Sequence, residues 1–256
     1  MRIILLANNW AGWKAAEYLA AGPDEIVGLV AHPAERAKFG PEIAAACRLP
    51  PERVFLADRL RDKEVLEALA ALRPDLGLSV FFGYILKPDC LGVFPGGCVN
   101  VHPAFLPYNR GAFPNVWPII DDTPAGVTIH YLDRGVDTGD IISQRRVPVQ
   151  PWDTGASLYR RLENECQALF QETWPLIRAG RAPRRPQSRG EGTAHRVRDA
   201  EAIDAIDLDR TYGGRELIDI LRARTFPPFR GAFIENSGRK IYLELKLTCE
   251  PPPAET

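Results

Sequence analysis

The chain has 256 residues, of which 45% are hydrophobic and 25% charged, a composition typical of a globular protein with one sizeable domain and a small appendage. The formal net charge of −1 gives no general attraction to polyanions, so nucleic-acid binding is not expected without a local basic patch. The apolar stretches have only the length of strands, and Asn8 and Asn9 interrupt the N-terminal one early, so we expect neither a membrane span nor a secretory signal.

The five cysteines are odd in number and show no paired metal-ligand spacing. This pattern favours free thiols over a disulfide framework or a metal centre. We therefore expect a cytoplasmic location and no metal site.

The first third of the chain alternates apolar runs with helical patterns. The apolar runs predict strands at residues 2–7, 25–31, 54–56 and 76–82. The helical patterns predict helices that end near residue 21 and that cover 41–47 and 62–72. Strands alternating with helices predict an α/β fold with an open, mostly parallel sheet.

The rest of the chain divides into three parts. Further strands are predicted at 98–102, 127–132 and 141–149, followed by a long helix whose apolar face carries Leu158, Leu162, Cys166, Leu169, Phe170 and Ile177. Arginine, proline and glycine then interleave, and this composition predicts a linker at 187–209 after a first domain at 1–186. Residues 210–256 predict a small α+β C-terminal module with one helix, two strands and a frayed proline-rich tail from residue 251.

Asn100 and His102 lie two residues apart on a predicted strand that ends at Pro103, so their side chains project from the same face. In parallel α/β sheets, working groups collect at the carboxyl ends of strands. An amide can stabilise an oxyanion while an imidazole moves a proton, so this pair suits acyl transfer. Three aspartates in a following glycine-rich loop could orient the imidazole, and the residues alone do not select among Asp133, Asp137 and Asp140. A turn or packing role for each of these residues stays open.

Two long motifs resemble the folate-dependent formyltransferases: NVHPAFLPYNRG at residues 100–111 and GVTIHYLDRGVDTGDI at 126–141. The resemblance covers about residues 1–186 and extends more weakly into 221–233. It implies a Rossmann-like formyltransferase fold and 10-formyltetrahydrofolate as the formyl donor. It also implies catalytic roles for Asn100, His102 and Asp137, in which Asp137 raises the pKa of His102 and protonated His102 helps Asn100 to stabilise the oxyanion.

The same resemblance implies a folate pocket with two sides. One side consists of Tyr84, Ile85 and Leu86, which lie just before the strand that carries Asn100. The other side is a loop that closes over the pterin, formed by Asp133, Arg134, Gly135 and Val136. His130, on the strand before this loop, is interpreted as structural.

Features that the sequence lacks reduce the number of candidate acceptor amines. Residues 7–13 have none of the extra glycines with which the glycinamide ribonucleotide enzymes of the family cradle a phosphate, and transfer-RNA recognition needs a larger positive surface. A nucleotide-linked amino sugar is the remaining expectation, with Asn9, Trp10, Tyr108 and Arg110 as candidate contacts. The relative that formylates a UDP-linked sugar has Arg where this chain has Ala112, so that particular substrate is not favoured. Other amines, such as a siderophore hydroxylamine, stay open.

Several alternatives stay open from the sequence. Methionyl-tRNA formyltransferase activity and hydrolysis of 10-formyltetrahydrofolate use the same three catalytic residues, and a non-catalytic sensor would keep the same fold. The two C-terminal strands are marginal on their own, which favours a homodimer in which they pair with a second subunit.

Overall fold

In the computed structural model, residues 1–188 and 190–250 are described. Seven elements follow one another in the first third of the chain. They are β1 (Arg2–Ala7), α1 (Asn9–Ala21), β2 (Glu25–Ala31), α2 (Gly40–Cys47), β3 (Val54–Leu56), α3 (Lys63–Ala71) and β4 (Leu76–Val80). The strands and helices alternate as predicted.

The middle of the chain completes the sheet and ends in the longest helix. Its elements are α4 (Pro88–Leu91), β5 (Cys98–His102), β6 (Arg110–Gly111), α5 (Trp117–Ile120), β7 (Gly126–Tyr131), β8 (Ile141–Arg146) and α6 (Gly155–Arg178). The strands β4 and β8 end two or three residues earlier than predicted. In β4 the cause is Phe81, whose positive φ of 52° turns the chain out of the sheet.

A seven-stranded sheet forms the centre of the protein, in the order β3-β2-β1-β4-β5-β7-β8. The first five strands in this order are parallel, and β7 and β8 are antiparallel to their neighbours. The expected α/β fold with an open, mostly parallel sheet is therefore confirmed. The antiparallel β5–β7 pair places Asn100 directly opposite His130, which brings two polar side chains to one point of the sheet.

Helices cover both faces of the sheet, as the continuous apolar runs require. In β1, Ile3 and Leu5 belong to a core shared with α1 and α6, whereas Ile4 and Leu6 belong to a core shared with α3. The predicted apolar face of α6 is confirmed, because all six of its residues are buried. Thr154 caps this helix by accepting a hydrogen bond from the Ser157 amide at 3.2 Å.

The C-terminal part contains a helix pair and a hairpin. Its elements are β9 (Ala194–His195), α7 (Val197–Asp204), α8 (Gly214–Arg224), β10 (Phe233–Asn236) and β11 (Arg239–Tyr242). Buried Arg222 ties this module to the first domain by donating to the carbonyl oxygens of Gln150 and Asp153 at 3.2 and 3.0 Å. Across the described residues, no helix is long and apolar enough to cross a membrane.

The segment expected to be a solvated linker has more structure than its composition indicated. The arginines of this segment that the structure describes are exposed, as a linker would have them. However, β9 pairs with β6, and Ala200 of α7 is fully buried. Contacts with distant parts of the chain, which composition does not reveal, order this segment. The division at 1–186, 187–209 and 210–256 stays a prediction, and the tail from residue 251 lies outside the described residues.

The packing of α6 gives a matched stability test. Replacing buried Leu162 with alanine should cost about 2–5 kcal/mol of unfolding free energy, because it leaves a cavity between helix and sheet. Replacing Leu176, which is 41% exposed on the same helix, should cost less than about 0.5 kcal/mol. Urea unfolding of the two variants measures both values, and equal losses would show that α6 does not pack as described.

Candidate active site

The site begins on β5, where Asn100 and His102 share one face of the strand as expected. His102 is 7% exposed, and its Nε2 atom has no hydrogen-bond partner among the described residues. A buried nitrogen without a partner is costly to a folded protein unless it serves a ligand or a reaction. The position of His102 therefore suits proton transfer to a bound substrate.

Of the three candidate aspartates, Asp137 lies beside the imidazole. Its Oδ2 atom is 3.6 Å from His102 Nε2. Asp133 instead accepts hydrogen bonds inside its own loop, from the Gly135 amide at 2.9 Å and from Thr138 at 2.6 Å. Asp140 faces Arg184 at 3.9 Å. The loop between β7 and β8 thus brings one carboxylate to the catalytic face.

Asp137 is held in a conformation that a non-glycine residue rarely adopts. Its φ is +53°, a backbone strain of about 1–3 kcal/mol that surrounding contacts must offset. The Gly111 amide donates to Oδ2 at 2.9 Å. Burial alone would raise the pKa of the Asp137 carboxyl, but His102, His130 and the Gly111 amide together hold that pKa well below its usual range. The carboxylate is therefore ionised.

Asp137 raises the pKa of His102, as expected, but the net shift of that pKa is downward, so the expectation of a protonated ring is not supported. Burial lowers the pKa of His102 below its usual value, and the attraction of Asp137 opposes this without overcoming it. His130, close to the same ring, lowers the pKa further. At neutral pH the ring is thus a neutral imidazole, which can accept a proton, and Asp137 stabilises the cation once it forms.

His130, interpreted from the sequence as structural, contacts two of the three candidates. It is fully buried, and its Nδ1 atom lies 2.9 Å from the Tyr131 carbonyl oxygen, which can only accept, so Nδ1 donates. The Asn100 Nδ2 group, which can only donate, lies 3.2 Å from His130 Nε2, so Nε2 accepts. The same Nε2 atom is 3.6 Å from Asp137 Oδ1. His130 therefore orients the Asn100 amide.

A first cavity of about 630 Å³ opens above these residues. It is lined by Asn100, His102 and Asp137 and by six of the seven predicted folate-pocket residues, namely Tyr84, Ile85, Leu86, Asp133, Gly135 and Val136. Arg134 is exposed and does not line this cavity. His195 and Arg196, from the predicted linker, complete the wall. No local sequence signal could have placed them there, because only the β6–β9 pairing brings them to the site.

A second cavity of about 690 Å³ adjoins the first. Ala112 lines the first cavity and Phe113 lines the second, and Phe81 of the first packs edge-on against Tyr159 of the second with ring centres 6.0 Å apart. Two predicted acceptor contacts, Asn9 and Trp10, line this second cavity.

The other two predicted acceptor contacts, Tyr108 and Arg110, line neither cavity. Arg110 is used inside the protein, where it donates two hydrogen bonds to Gln187. The structure therefore does not bring these two residues to the site.

Fold and site together define an α/β group-transfer enzyme with an amide, an imidazole and a carboxylate at the sheet edge. The sequence pattern of the family described as "Formyl transferase" matches residues 17–173, and that of "N-formyltransferase dimerization C-terminal domain" matches residues 199–249. The chain belongs to the formyl transferase family and is a formyltransferase.

Two curated relatives illustrate the range of the family. The dTDP-4-amino-4,6-dideoxyglucose formyltransferase of Mycobacterium bovis is 37% identical over 178 residues, which span 67% of this chain and 76% of that protein. The methionyl-tRNA formyltransferase of Symbiobacterium thermophilum is 36% identical over 238 residues, which span 89% of this chain and 71% of that enzyme. The family resemblance stated from the two motifs is confirmed.

Solved structures agree with this assignment. A 4-N formyltransferase from Francisella tularensis superposes with a TM-score of 0.84 at 26% identity, covering 97% of this chain and 98% of that one. The formyltransferase PseJ from Anoxybacillus kamchatkensis, in complex with UDP-4,6-dideoxy-4-formamido-L-AltNAc and tetrahydrofolate, superposes with a TM-score of 0.58 at 31% identity. That match covers 84% of this chain and 94% of PseJ. The likeness supports the Rossmann-like formyltransferase fold.

The electrostatics of the site give a direct test. Replacing Asp137 with asparagine should lower the pKa of His102 further, because the nearest negative charge is removed. Titration of the His102 ring protons by NMR measures this change. The same substitution at Asp140, which faces Arg184, should leave the His102 pKa unchanged. An unchanged or raised His102 pKa in the Asp137 variant would contradict the described pairing.

Proposed function

We propose that this enzyme transfers the formyl group of 10-formyltetrahydrofolate to the amine of a nucleotide-linked amino sugar. The observation that carries the proposal is the pair of adjoining cavities, one on each side of the segment from Gly111 to Phe113. A two-substrate reaction needs a donor pocket and an acceptor pocket that meet at the reacting atoms. Here the catalytic residues line the first pocket next to its border with the second.

The first cavity suits the folate donor. Aromatic and aliphatic side chains, including Phe82 and Leu132, form a slot for a flat heterocycle, and the backbone around Tyr84 offers donors and acceptors along its edge. We infer that Tyr84, Ile85 and Leu86 hold one side of the pterin and that Asp133, Gly135 and Val136 hold the other. The complex of PseJ with tetrahydrofolate supports this choice of donor.

Asn100, His102 and Asp137 divide the chemistry between them. The donor supplies an activated formyl carbon attached to a nitrogen that can leave. The Asn100 amide, oriented by His130, donates a hydrogen bond where negative charge develops on the formyl oxygen. His102 accepts at Nε2 the proton that the attacking amine loses, and it returns a proton to the leaving nitrogen as the carbon–nitrogen bond breaks. Asp137 stabilises the transient imidazolium.

The second cavity suits the nucleotide half of the acceptor. Its aromatic side chains, which offer stacking faces to a base, are Trp10, Phe39, Phe113, Tyr159, Phe226 and Phe229. Lys38, Arg160 and Arg230 also line it, and in the part of the chain that the structure describes none of the three forms an ion pair. Cations outside an ion pair are available to a diphosphate.

The relatives favour an amino sugar over transfer RNA. The mycobacterial relative acts on a dTDP-linked amino sugar, and PseJ binds a UDP-linked one. The methionyl-tRNA formyltransferase is the longer protein, and this chain spans 71% of its length.

We also propose a homodimer in the cytoplasm. The C-terminal match is to a dimerization domain, and the β10–β11 hairpin exposes Ile241 and Tyr242, which a second subunit could cover. All five cysteines lie in the described part of the chain and are free, as expected in a reducing compartment.

The reaction can be tested by tetrahydrofolate release. We expect release that requires a nucleotide-linked amino sugar, and kcat should fall by about 100- to 1000-fold when Asn100 is replaced by alanine, because an oxyanion donor is lost. The matched control is alanine at Asn164, an exposed residue of α6, which should keep full activity. Release with formyl-acceptor tRNA alone, or equal release without any amine, would contradict the proposal in favour of translation initiation or hydrolysis.

The acceptor cavity has a separate test. Replacing Phe229 or Arg230 with alanine should raise the KM for the nucleotide-linked acceptor roughly tenfold, because a stacking face or a charged hydrogen bond is lost, while the KM for the donor stays unchanged. Steady-state kinetics with each substrate varied in turn separates the two constants. Arg61, exposed and outside both cavities, provides the matched arginine control. A rise in the donor KM instead would show that the two cavities have been assigned the wrong way round.

A further inference from the structure

We propose that Gln187 is a positioning residue that holds the loop carrying Asp137 in its reactive conformation; this inference rests on the proposed function. Gln187 belongs to the segment whose composition predicted a linker. It is half-buried and lines neither cavity, so it acts on the reaction through other residues.

All four hydrogen-bonding positions of the Gln187 amide are used. Its Nε2 group donates to the carbonyl oxygens of Asp137 and Gly139, each at 2.8 Å. Its Oε1 atom accepts from Arg110 Nε at 3.1 Å and from Arg110 Nη2 at 2.6 Å. Carbonyl oxygens can only accept and a guanidinium can only donate, so these partners fix the orientation of the amide.

The Gln187 contacts hold the two parts of the chain that place the Asp137 carboxylate. Asp137 has a strained backbone with φ at +53°, and Gln187 binds the carbonyl oxygen of that same residue. Arg110 precedes Gly111, whose amide donates to the Asp137 carboxylate at 2.9 Å. Gln187 therefore joins the backbone of Asp137 to the strand that binds its side chain. Without this link, the Asp137 backbone can move away from β6, whose Gly111 amide binds the Asp137 carboxylate.

The segment that carries Gln187 is itself fixed to the first domain. The strand β9 pairs with β6, and the Thr193 hydroxyl accepts from the Asn109 amide at 2.9 Å. Gly192 lies against Pro107 so closely that a Cβ atom there would be 2.0 Å from the Pro107 carbonyl oxygen. On the other side, two residues before Gln187, the Arg185 backbone exchanges hydrogen bonds with the Ile141 backbone of β8 at 2.8 and 3.0 Å, so Gln187 is anchored beside the Asp137 loop.

Three variants test this role. Alanine at Gln187 removes every contact. Glutamate at Gln187 keeps an oxygen for Arg110 but replaces the donor to Asp137 and Gly139 with an oxygen that repels their carbonyl groups. Alanine at Ser188, the exposed next residue, is the matched control. The readouts are kcat, the KM for each substrate, and NMR titration of His102 in the full-length enzyme.

We expect both Gln187 variants to lower kcat up to about 100-fold with each KM nearly unchanged, because a small displacement of a catalytic group acts on the chemical step. The His102 pKa should fall in the alanine variant, because Asp137 and His130 are the titratable groups that face His102 and, of these two, Gln187 contacts only Asp137. The glutamate variant adds a negative charge that would itself raise the His102 pKa, so that variant is judged by kcat alone. The Ser188 variant should match the wild type in all readouts.

Two results would overturn the proposal. If the glutamate variant is as active as the wild type, the donor contacts to the Asp137 loop do not matter. If the alanine variant titrates at His102 like the wild type, Gln187 does not position the carboxylate. The titration needs neither donor nor acceptor, so it decides the role of Gln187 even if the wild-type enzyme fails with every amino sugar and the proposed function is lost.

Discussion

The proposed catalytic arrangement depends on one largely buried carboxylate, that of Asp137, placed between two imidazoles. Burial opposes its charge, and the contacts with His102, His130 and the Gly111 amide outweigh that penalty, so the group stays ionised. Every neighbouring element contributes to this balance. The strand β5 supplies His102, β7 supplies His130, and β6 supplies the amide.

The sheet explains why these groups meet. Because β5 and β7 pair antiparallel with Asn100 opposite His130, the imidazole reaches the amide across the two strands at 3.2 Å. The loop after β7 then places Asp137 beside His102 and His130. A carboxylate kept ionised beside a neutral imidazole forms a pair in which the ring can gain a proton during the reaction and lose it again.

Much of this architecture could be predicted from the sequence, since strand and helix periodicity is a local property. The spacing of Asn100 and His102 placed both on one face, and the apolar stripe of α6 was complete. The choice of Asp137 among three aspartates could not be derived in this way, because it depends on a left-handed backbone in the loop. The sequence also could not predict the lowered pKa of His102, because burial lowers this pKa while the Asp137 charge raises it. The same holds for Gln187, whose partners Asp137 and Arg110 lie 50 and 77 residues away along the chain.

The central claim is that Asp137 acts on catalysis through His102, and a double-mutant cycle tests it most directly. The measurement is kcat/KM for tetrahydrofolate release by the wild type, His102→Ala, Asp137→Asn and the double variant. Two residues that act as one unit give strongly non-additive losses, so we expect the double variant to be no slower than His102→Ala alone. If the two losses multiply instead, Asp137 has a role independent of His102, and the claim that the carboxylate works through the imidazole is wrong.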